Sequence, residues 1–455
     1  MDPDSTIFLP SCFNCLTKFA MIFLLRPLYL FQKIVYNGIT RDYCHIIHLF
    51  RVLVKVTKGK NMNFCAVICE YNPFHNGHKY QLERARALSG CDGVLCIMSG
   101  NFTQRGEPAV FHKYERARHA IEGGADVVLE LPAAFAVAPA ELFARGAVHI
   151  LASLPDVKVL AFGCESGDKD AFVRTARATL NEPKQFRAAL KENMKDGTSY
   201  IRARNAALLA TGADVDEALL SSPNNILGTE YCRAILTEHA DIEPLPIPRI
   251  GGGYADSTLL PDYSSATALR ATLADRSRRA QKALKSNLPP HVYAAAQGYK
   301  PLPYGTAAVC ALLAADDAAI AQCPDCSEGL ENRIRAMART NPVYEELLPK
   351  VVSKRYTAAR IRRILAQNFL RLTREDVRSY LEAPLYCRTL AVRKSGQEGI
   401  LSSLAKGKFP LVTRKSDAFT LKKEALACFQ TDVRANDLYN ALAGRHTGEY
   451  ETLFV

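Results

Sequence analysis

Between residues 63 and 162 short apolar runs alternate with helical patterns, and nothing else in the chain narrows its fold so far. Runs 63–69, 93–98, 126–129 and 157–162 read as strands. Segments 79–89, 113–122 and 140–154 between them read as helices, and 168–180 predicts another. This alternation predicts an α/β protein, a parallel sheet with crossover helices. Ligands of open α/β sheets bind beyond the carboxyl ends of the strands. Residues 214–276 continue the active domain through motifs rather than clear periodicity. Asn287-Leu288-Pro289-Pro290 reads as a linker, so the expected domains are 62–288 and a mainly helical, basic 289–455.

The first strand runs into its helix through Ile68-Cys69-Glu70-Tyr71-Asn72-Pro73-Phe74-His75-Asn76-Gly77-His78-Lys79-Tyr80-Gln81. Leu82, Ala85 and Leu88 then form an apolar stripe. Two imidazoles at a helix start sit beside unsatisfied N–H groups and the positive end of the dipole, a setting suited to polyphosphate. Gly77 would let the backbone approach that ligand closely. A bare His-x-Gly-His could equally be two solvated histidines; the strand before it and the helix after it favour nucleotide chemistry.

Further ordered motifs follow: Met98-Ser99-Gly100-Asn101-Phe102-Thr103-Gln104-Arg105-Gly106-Glu107, Gly124-Ala125-Asp126, Phe162-Gly163-Cys164-Glu165-Ser166-Gly167, Ser222-Pro223-Asn224-Asn225 and Glu328-Gly329-Leu330-Glu331-Asn332-Arg333. Together with the twin-histidine turn they closely resemble the tRNA(Met) cytidine acetate ligase family, over roughly residue 62 to the mid-380s. The resemblance implies an HxGH-type nucleotidylyltransferase-like fold. It also implies activation of acetate by ATP as acetyl-adenylate, then formation of N4-acetylcytidine at the wobble position of elongator methionine tRNA. His75 and His78 would be catalytic, stabilising phosphate charge, with ATP held along 68–81 and by Gly163, Asn225, Arg249 and Arg270. Mg²⁺ bridging the phosphates is expected, although no carboxylate cluster at ligand spacing identifies protein ligands for it.

Several of these positions have a plainer reading. Asn224 or Asn225 could simply cap the helix that opens at Ile226. Arg249 precedes Gly251-Gly252-Gly253, and a guanidinium beside a flexible loop suits phosphate or carboxylate. Ser264-Ser265-Ala266-Thr267-Ala268-Leu269-Arg270 resembles the second nucleotidylyltransferase signature, with Ser264 in place of its usual Ile and Ala266 in place of its second Ser. Ser265 and Thr267 could therefore be helix caps, and Arg270 is the stronger candidate for the departing pyrophosphate.

A net charge of +12 over 455 residues suits a polyanionic partner. Between residues 347 and 374 stand eight basic residues and no acid. Helical spacing gathers Ile361, Ile364, Leu365, Phe369 and Leu372 on one side and Arg360, Arg363, Arg371 and Arg374 on another. The predicted positive ridge, with Lys354 and Arg355, is the candidate tRNA contact. Tyr356 and His112 are candidate base-stacking residues, and Arg388, Arg393 and Lys394 could extend the surface.

The fourteen cysteines are scattered, as expected of free thiols in a reducing cytoplasm. Cys323-Pro324-Asp325-Cys326 lacks a matching second pair and reads as chance spacing rather than a zinc site. Residues 1–61 carry eight Lys or Arg against three Asp and stand apart from the pattern. Their apolar stretch 19–31 is interrupted by Arg26 and Pro27, too short for a membrane span. An upstream start assignment is the expectation there, and no membrane partner is expected. Two other readings stay open: a small-molecule adenylyltransferase on the same fold, and a non-catalytic RNA-binding protein.

Overall fold

The first four apolar runs form parallel strands β1 (Phe64–Cys69), β2 (Gly93–Ser99), β3 (Val127–Leu131) and β4 (Val157–Cys164), with β1 between β2 and β4. This computed structural model describes residues 62–455 except 166, 181–184, 196, 197, 199, 251–258, 450 and 451. The expectations for residues 1–61 lie outside the described residues.

Helices α1 (Asn76–Ser89), α2 (Lys113–Glu122) and α3 (Ala140–Ala152) connect these strands, and α4 (Lys169–Leu180) follows β4. Helix α1 begins three residues earlier than expected, because His75 caps it, and Gly90 closes it at φ 66°. Leu82 and Ala85 of its stripe are buried, while Leu88 is exposed. Beyond lie α5 (Pro223–Thr237), β5 (Glu243–Pro248), α6 (Ala266–Thr272), α7 (Tyr304–Ala314), α8 (Ala358–Phe369), β6 (Cys387–Val392), β7 (Leu411–Val412), α9 (Lys423–Ala443) and β8 (Leu453–Phe454).

The sheet order is β5-β4-β1-β2-β3-β6-β7, with β8 also on β6. The chain builds outward from β1 to β3 on one side and from β4 to β5 on the other, and this reversal makes a crevice at the carboxyl ends of β1 and β4. Alternate residues of β1 feed two cores. Phe64, Ala66 and Ile68 pack with α3, α4 and α5; Cys65, Val67 and Cys69 pack with α1, α2 and α6.

Strand β5 was hidden in the sequence by Pro244, Pro246 and Pro248. The N–H of Arg249 donates to the Cys164 carbonyl (3.0 Å), so odd-numbered residues face β4 and the prolines face away from the ladder. An edge strand tolerates proline on that side.

The expected boundary at 288/289 is corrected by β6, which pairs antiparallel with β3 and brings the C-terminal part into the same sheet. Residues 61–455 form one compact unit. Charge seals the junction: Lys113 Nζ lies 2.8 Å from Glu130 of β3 and also pairs with Glu449, all nearly inaccessible. Arg388 is buried and donates to the Tyr114 hydroxyl (2.7 Å), and Arg393 pairs with Asp126 (2.9 Å). Neither therefore extends a basic surface. His112 is likewise buried, capping α2 and bonded to Asn436 (2.9 Å), not poised to stack on a base. The cysteines among the described residues are free thiols, Cys323 and Cys326 both buried. No helix among the described residues is long and apolar enough to cross a membrane.

Candidate active site

The crevice at the β1/β4 switch point opens into a cleft that is partly open to solvent. Its floor is the end of β1 and the turn after it. Tyr71 takes φ 48°, a left-handed conformation that costs a non-glycine residue energy and recurs at functional sites. Its buried ring packs edge-on to Phe74 (4.9 Å) and beside His78 (4.9 Å). Phe74 is thus core rather than ligand wall.

His75 Nδ1 accepts from the Gly77 N–H (3.1 Å), and its ring stacks on His78 with centroids 3.7 Å apart. A Cβ at residue 77 would lie 2.9 Å from His75 Cε1. Gly77 therefore makes room for the capping imidazole, in addition to any approach to ligand. Burial, with the charges of Arg249 and Arg270, pushes His75 down to about 3. His78 is held well below its ordinary value by burial, by His75 and by Arg249. Both rings are neutral near pH 7. With Nδ1 accepting, the proton of His75 sits on Nε2.

Three other elements close on this pair. Arg270 of α6 donates to the Asn72 carbonyl (2.7 Å) and to Thr267 Oγ1 (3.2 Å), which holds the guanidinium across the cleft. Ser265 caps α6, accepting from the Ala268 N–H (3.1 Å), and also lines the cleft. Arg249 follows β5 and lies against Gly163, where a Cβ would stand 3.3 Å from Arg249 Cγ. The loop after β2 contributes Gln104 and Arg105; the Gln104 N–H donates to the Glu70 carboxylate (2.7 Å).

Of the residues expected to bind ATP, Ile68, Cys69, Glu70, Tyr71, Asn72, His75, His78, Gln81, Gly163, Arg249 and Arg270 line this cleft. Gly77 and Tyr80 line an adjoining hollow. Others turn elsewhere. Lys79 is exposed beside Glu83 (3.9 Å), and Asn76 donates to the carbonyl of Ser286 (2.8 Å). Asn225 is buried within the first turn of α5, accepting from the Glu165 N–H (2.9 Å) and donating to the Ala218 carbonyl (3.2 Å). Ser222, not Asn224, is the cap residue, and Asn224 is the asparagine on the cleft wall.

Arg116 was missed. Fully buried, it donates to the carbonyls of Glu70 (2.6 Å), Ser99 (3.1 Å) and Phe111 (3.0 Å), and to that of Gly100. It thereby ties the ends of β1 and β2 together. Its one sequence signal was a charge on the apolar face of α2, in line with Ala120.

The basic ridge is also corrected. Arg363 makes a two-pronged pair with Asp325 (2.7 and 3.3 Å). Arg360 donates to the Asp325 carbonyl (2.9 Å) and Ser327 (2.7 Å), and Arg374 to the Cys326 carbonyl (2.6 Å). Arg355 pairs with Glu328 (2.7 Å), and Tyr356 lies under Arg360 (5.4 Å). The acids missing from 347–374 arrive from Asp325 and Glu328, and from Glu107, which pairs with Arg362 (3.2 Å). Lys354 and Arg371 are exposed, with no ion pair among the described residues.

Known proteins agree with this architecture. The HIGH Nucleotidyl Transferase family model matches residues 62–451. A tRNA(Met) cytidine acetate ligase of Acetivibrio thermocellus is 36% identical over 400 residues, covering 83% of this chain and 94% of the relative. The chain belongs to the tRNA(Met) cytidine acetate ligase family. A second such ligase, from Thermoanaerobacter sp. (strain X514), is 34% identical and covers 83% of this chain and 95% of its own. Two crystal structures of Thermotoga maritima TmcAL, each 31% identical, cover all of their own chains. The form bound with alpha-thio ATP spans 87% of this one (TM-score 0.77) and the apo form 86% (TM-score 0.79). In this member of the acetate ligase family, the twin-histidine segment lies near the head of the matched region.

Proposed function

We propose that this protein activates acetate with ATP and acetylates N4 of the wobble cytidine in elongator methionine tRNA. The convergence of the stacked His75–His78 pair, Arg249 and Arg270 on one switch-point crevice carries the reading. An acetate oxygen attacks the α-phosphorus, the bond to the α,β-bridging oxygen breaks, and pyrophosphate leaves with the electron pair. The cytosine amine then attacks the acyl carbon, the bond to AMP breaks, and the amine loses a proton. Alignment and stabilisation of building negative charge supply most of the rate in such a step.

Neutral His75 donates from Nε2, and Arg249 and Arg270 bring fixed positive charge. Because the histidines hold their protons weakly, they serve as charge stabilisers rather than proton abstractors. Mg²⁺ would accompany the triphosphate. No group of three or more His, Cys, Asp or Glu able to hold a metal ion occurs among the described residues, so no step is assigned to the ion. The cytidine must be offered unpaired, which an anticodon loop does without full extraction from a duplex. Lys354 and Arg371 are the exposed charges for RNA phosphates, with the paired Arg355, Arg360, Arg363 and Arg374 beside them.

The test combines protein, ATP, radiolabelled acetate and total tRNA. ATP-dependent label in tRNA is the expected result. Pyrophosphate release with another small substrate, and no label in RNA, would select a small-molecule adenylyltransferase. Neither product would leave an RNA-binding protein.

A further inference from the structure

The cleft straddles the sheet edge, and its two ends differ in chemistry. On the α1 and α6 side it presents His75, His78, Thr267 and Arg270. On the α3 and α5 side it presents Ile68, Phe143, Phe162, Leu227 and Tyr231, all belonging to or packed on the opposite core, with Asn224 beside them. These five side chains carry no charge to meet a phosphate. We propose that this wall is the acyl-donor pocket, seating the methyl group of acetate and limiting the acid to a short chain.

The inference rests on the proposed acetate chemistry, and geometry chooses among the possible occupants. Attack on the α-phosphorus requires the carboxylate to face the basic end, so the methyl must point away from it. Among the side chains that line the cleft, Ile68, Phe143, Phe162, Leu227 and Tyr231 form the apolar group suited to a methyl, whereas Glu70, Gln104, Arg105 and Asn224 are polar. The adenine ring is assigned to the other side, where a small adjoining hollow shares His75, His78, Gln81, Gly163 and Arg249 with the cleft and adds Tyr80, Ile247 and Ile250. A stacked cytosine would need the open face of an aromatic ring. Phe143 and Phe162 are each 3% exposed, Tyr231 5% and Ile68 9%, so only ring edges and methyl tips reach the cleft. Phe162 is engaged by its neighbours, T-shaped with Phe172 (5.2 Å) and tilted against Tyr231 (5.8 Å). A surface so slight fits a single methyl group. Leu227, the least buried of the five, is the side chain that a longer acid would strike first.

One extra methylene in a fitted apolar site is discriminated by roughly 10- to 200-fold. The test offers equimolar [14C]acetate and [3H]propionate with ATP and tRNA, and reads the ratio of labels in the RNA. Such a competition reports relative kcat/KM whatever fraction of a variant is folded. Leu227→Ala should raise the propionate-to-acetate ratio about tenfold or more over wild type. If Leu227→Ala transfers neither acid, Leu227→Val gives the same reading with a smaller rise. Leu227→Phe should raise KM for acetate without a matching rise in KM for ATP. A ratio within twofold of wild type in the enlarged variants would overturn the pocket. So would a change confined to KM for ATP or for tRNA, which would assign the wall to adenine or cytosine. Failure of the wild-type protein to label RNA with either acid would instead remove the underlying reading.

Discussion

The imidazoles of His75 and His78 stack with centroids 3.7 Å apart and planes 25° apart, so a proton on one ring faces the other at close range. Burial above all, then the charges of Arg249 and Arg270, brings His75 from its ordinary 6.5 to about 3, and burial, His75 and Arg249 lower His78 as well. The sign follows directly. The unfolded chain takes up the His75 proton below about pH 6.5 while the native state refuses it down to about 3, so stability falls as pH drops through that window, and His78 acts in the same direction. A bound triphosphate reverses the local field and raises both histidines toward protonation. ATP binding at pH 5.5 to 6 should therefore absorb protons. Calorimetry in two buffers of different ionisation enthalpy measures this directly; proton release, or no linkage, would mean that the phosphates lie away from the pair.

His78→Ala removes a cleft side chain from the first turn of α1, whose ring packs against Tyr71, Phe74 and His75. Acetyl-adenylate formation should fall by on the order of 10² to 10³, as for loss of one transition-state donor. Filter binding of tRNA should change little. Parallel loss of both would show that the residue acts on the fold, not on phosphate chemistry.

The two-pronged Arg363–Asp325 pair is nearly buried, with side chains 13% and 9% exposed. Arg363→Ala leaves Asp325 without that partner and should cost about 3 kcal/mol of stability, read as a lower urea midpoint. Lys354→Ala with Arg371→Ala should leave stability near wild type and reduce the salt slope of RNA binding by about 1 for each phosphate no longer neutralised. An Arg363 variant that is fully stable but RNA-deficient would restore the free ridge suggested by the sequence.

Gly106 holds φ +76°, and a Cβ there would lie 2.4 Å from the Arg362 carbonyl carbon and the Arg363 nitrogen. The loop bearing Gln104 and Arg105 thus seats directly on the backbone of α8. Gly106→Ala should destabilise by at least about 1 kcal/mol and raise KM for ATP, because the strained conformation and the clash act together. Unchanged denaturation and kinetics would show that the loop has another seat.

Strands β1 to β4 and helices α1 to α3 were legible because each is written in a few adjacent residues. The twin-histidine turn was legible for the same reason, its cap, its glycine and its two rings lying within four positions. Strand β5 was not, since alternating prolines oppose a strand until the neighbour on one side is known. Strand β6 joins β3 across more than two hundred residues, and no local pattern announces such a pairing.

Periodicity and turn chemistry are short-range, so order along the chain sufficed for the α/β class, the twin-histidine turn and its family likeness. Pairing is a long-range matter. Whether Arg363 faces solvent or Asp325, whether Asn224 or Asn225 reaches the cleft, and whether Arg388 is surface or core depended on segments distant in sequence. A buried charge takes its meaning from whatever partner folding delivers, and that partner is written nowhere near it.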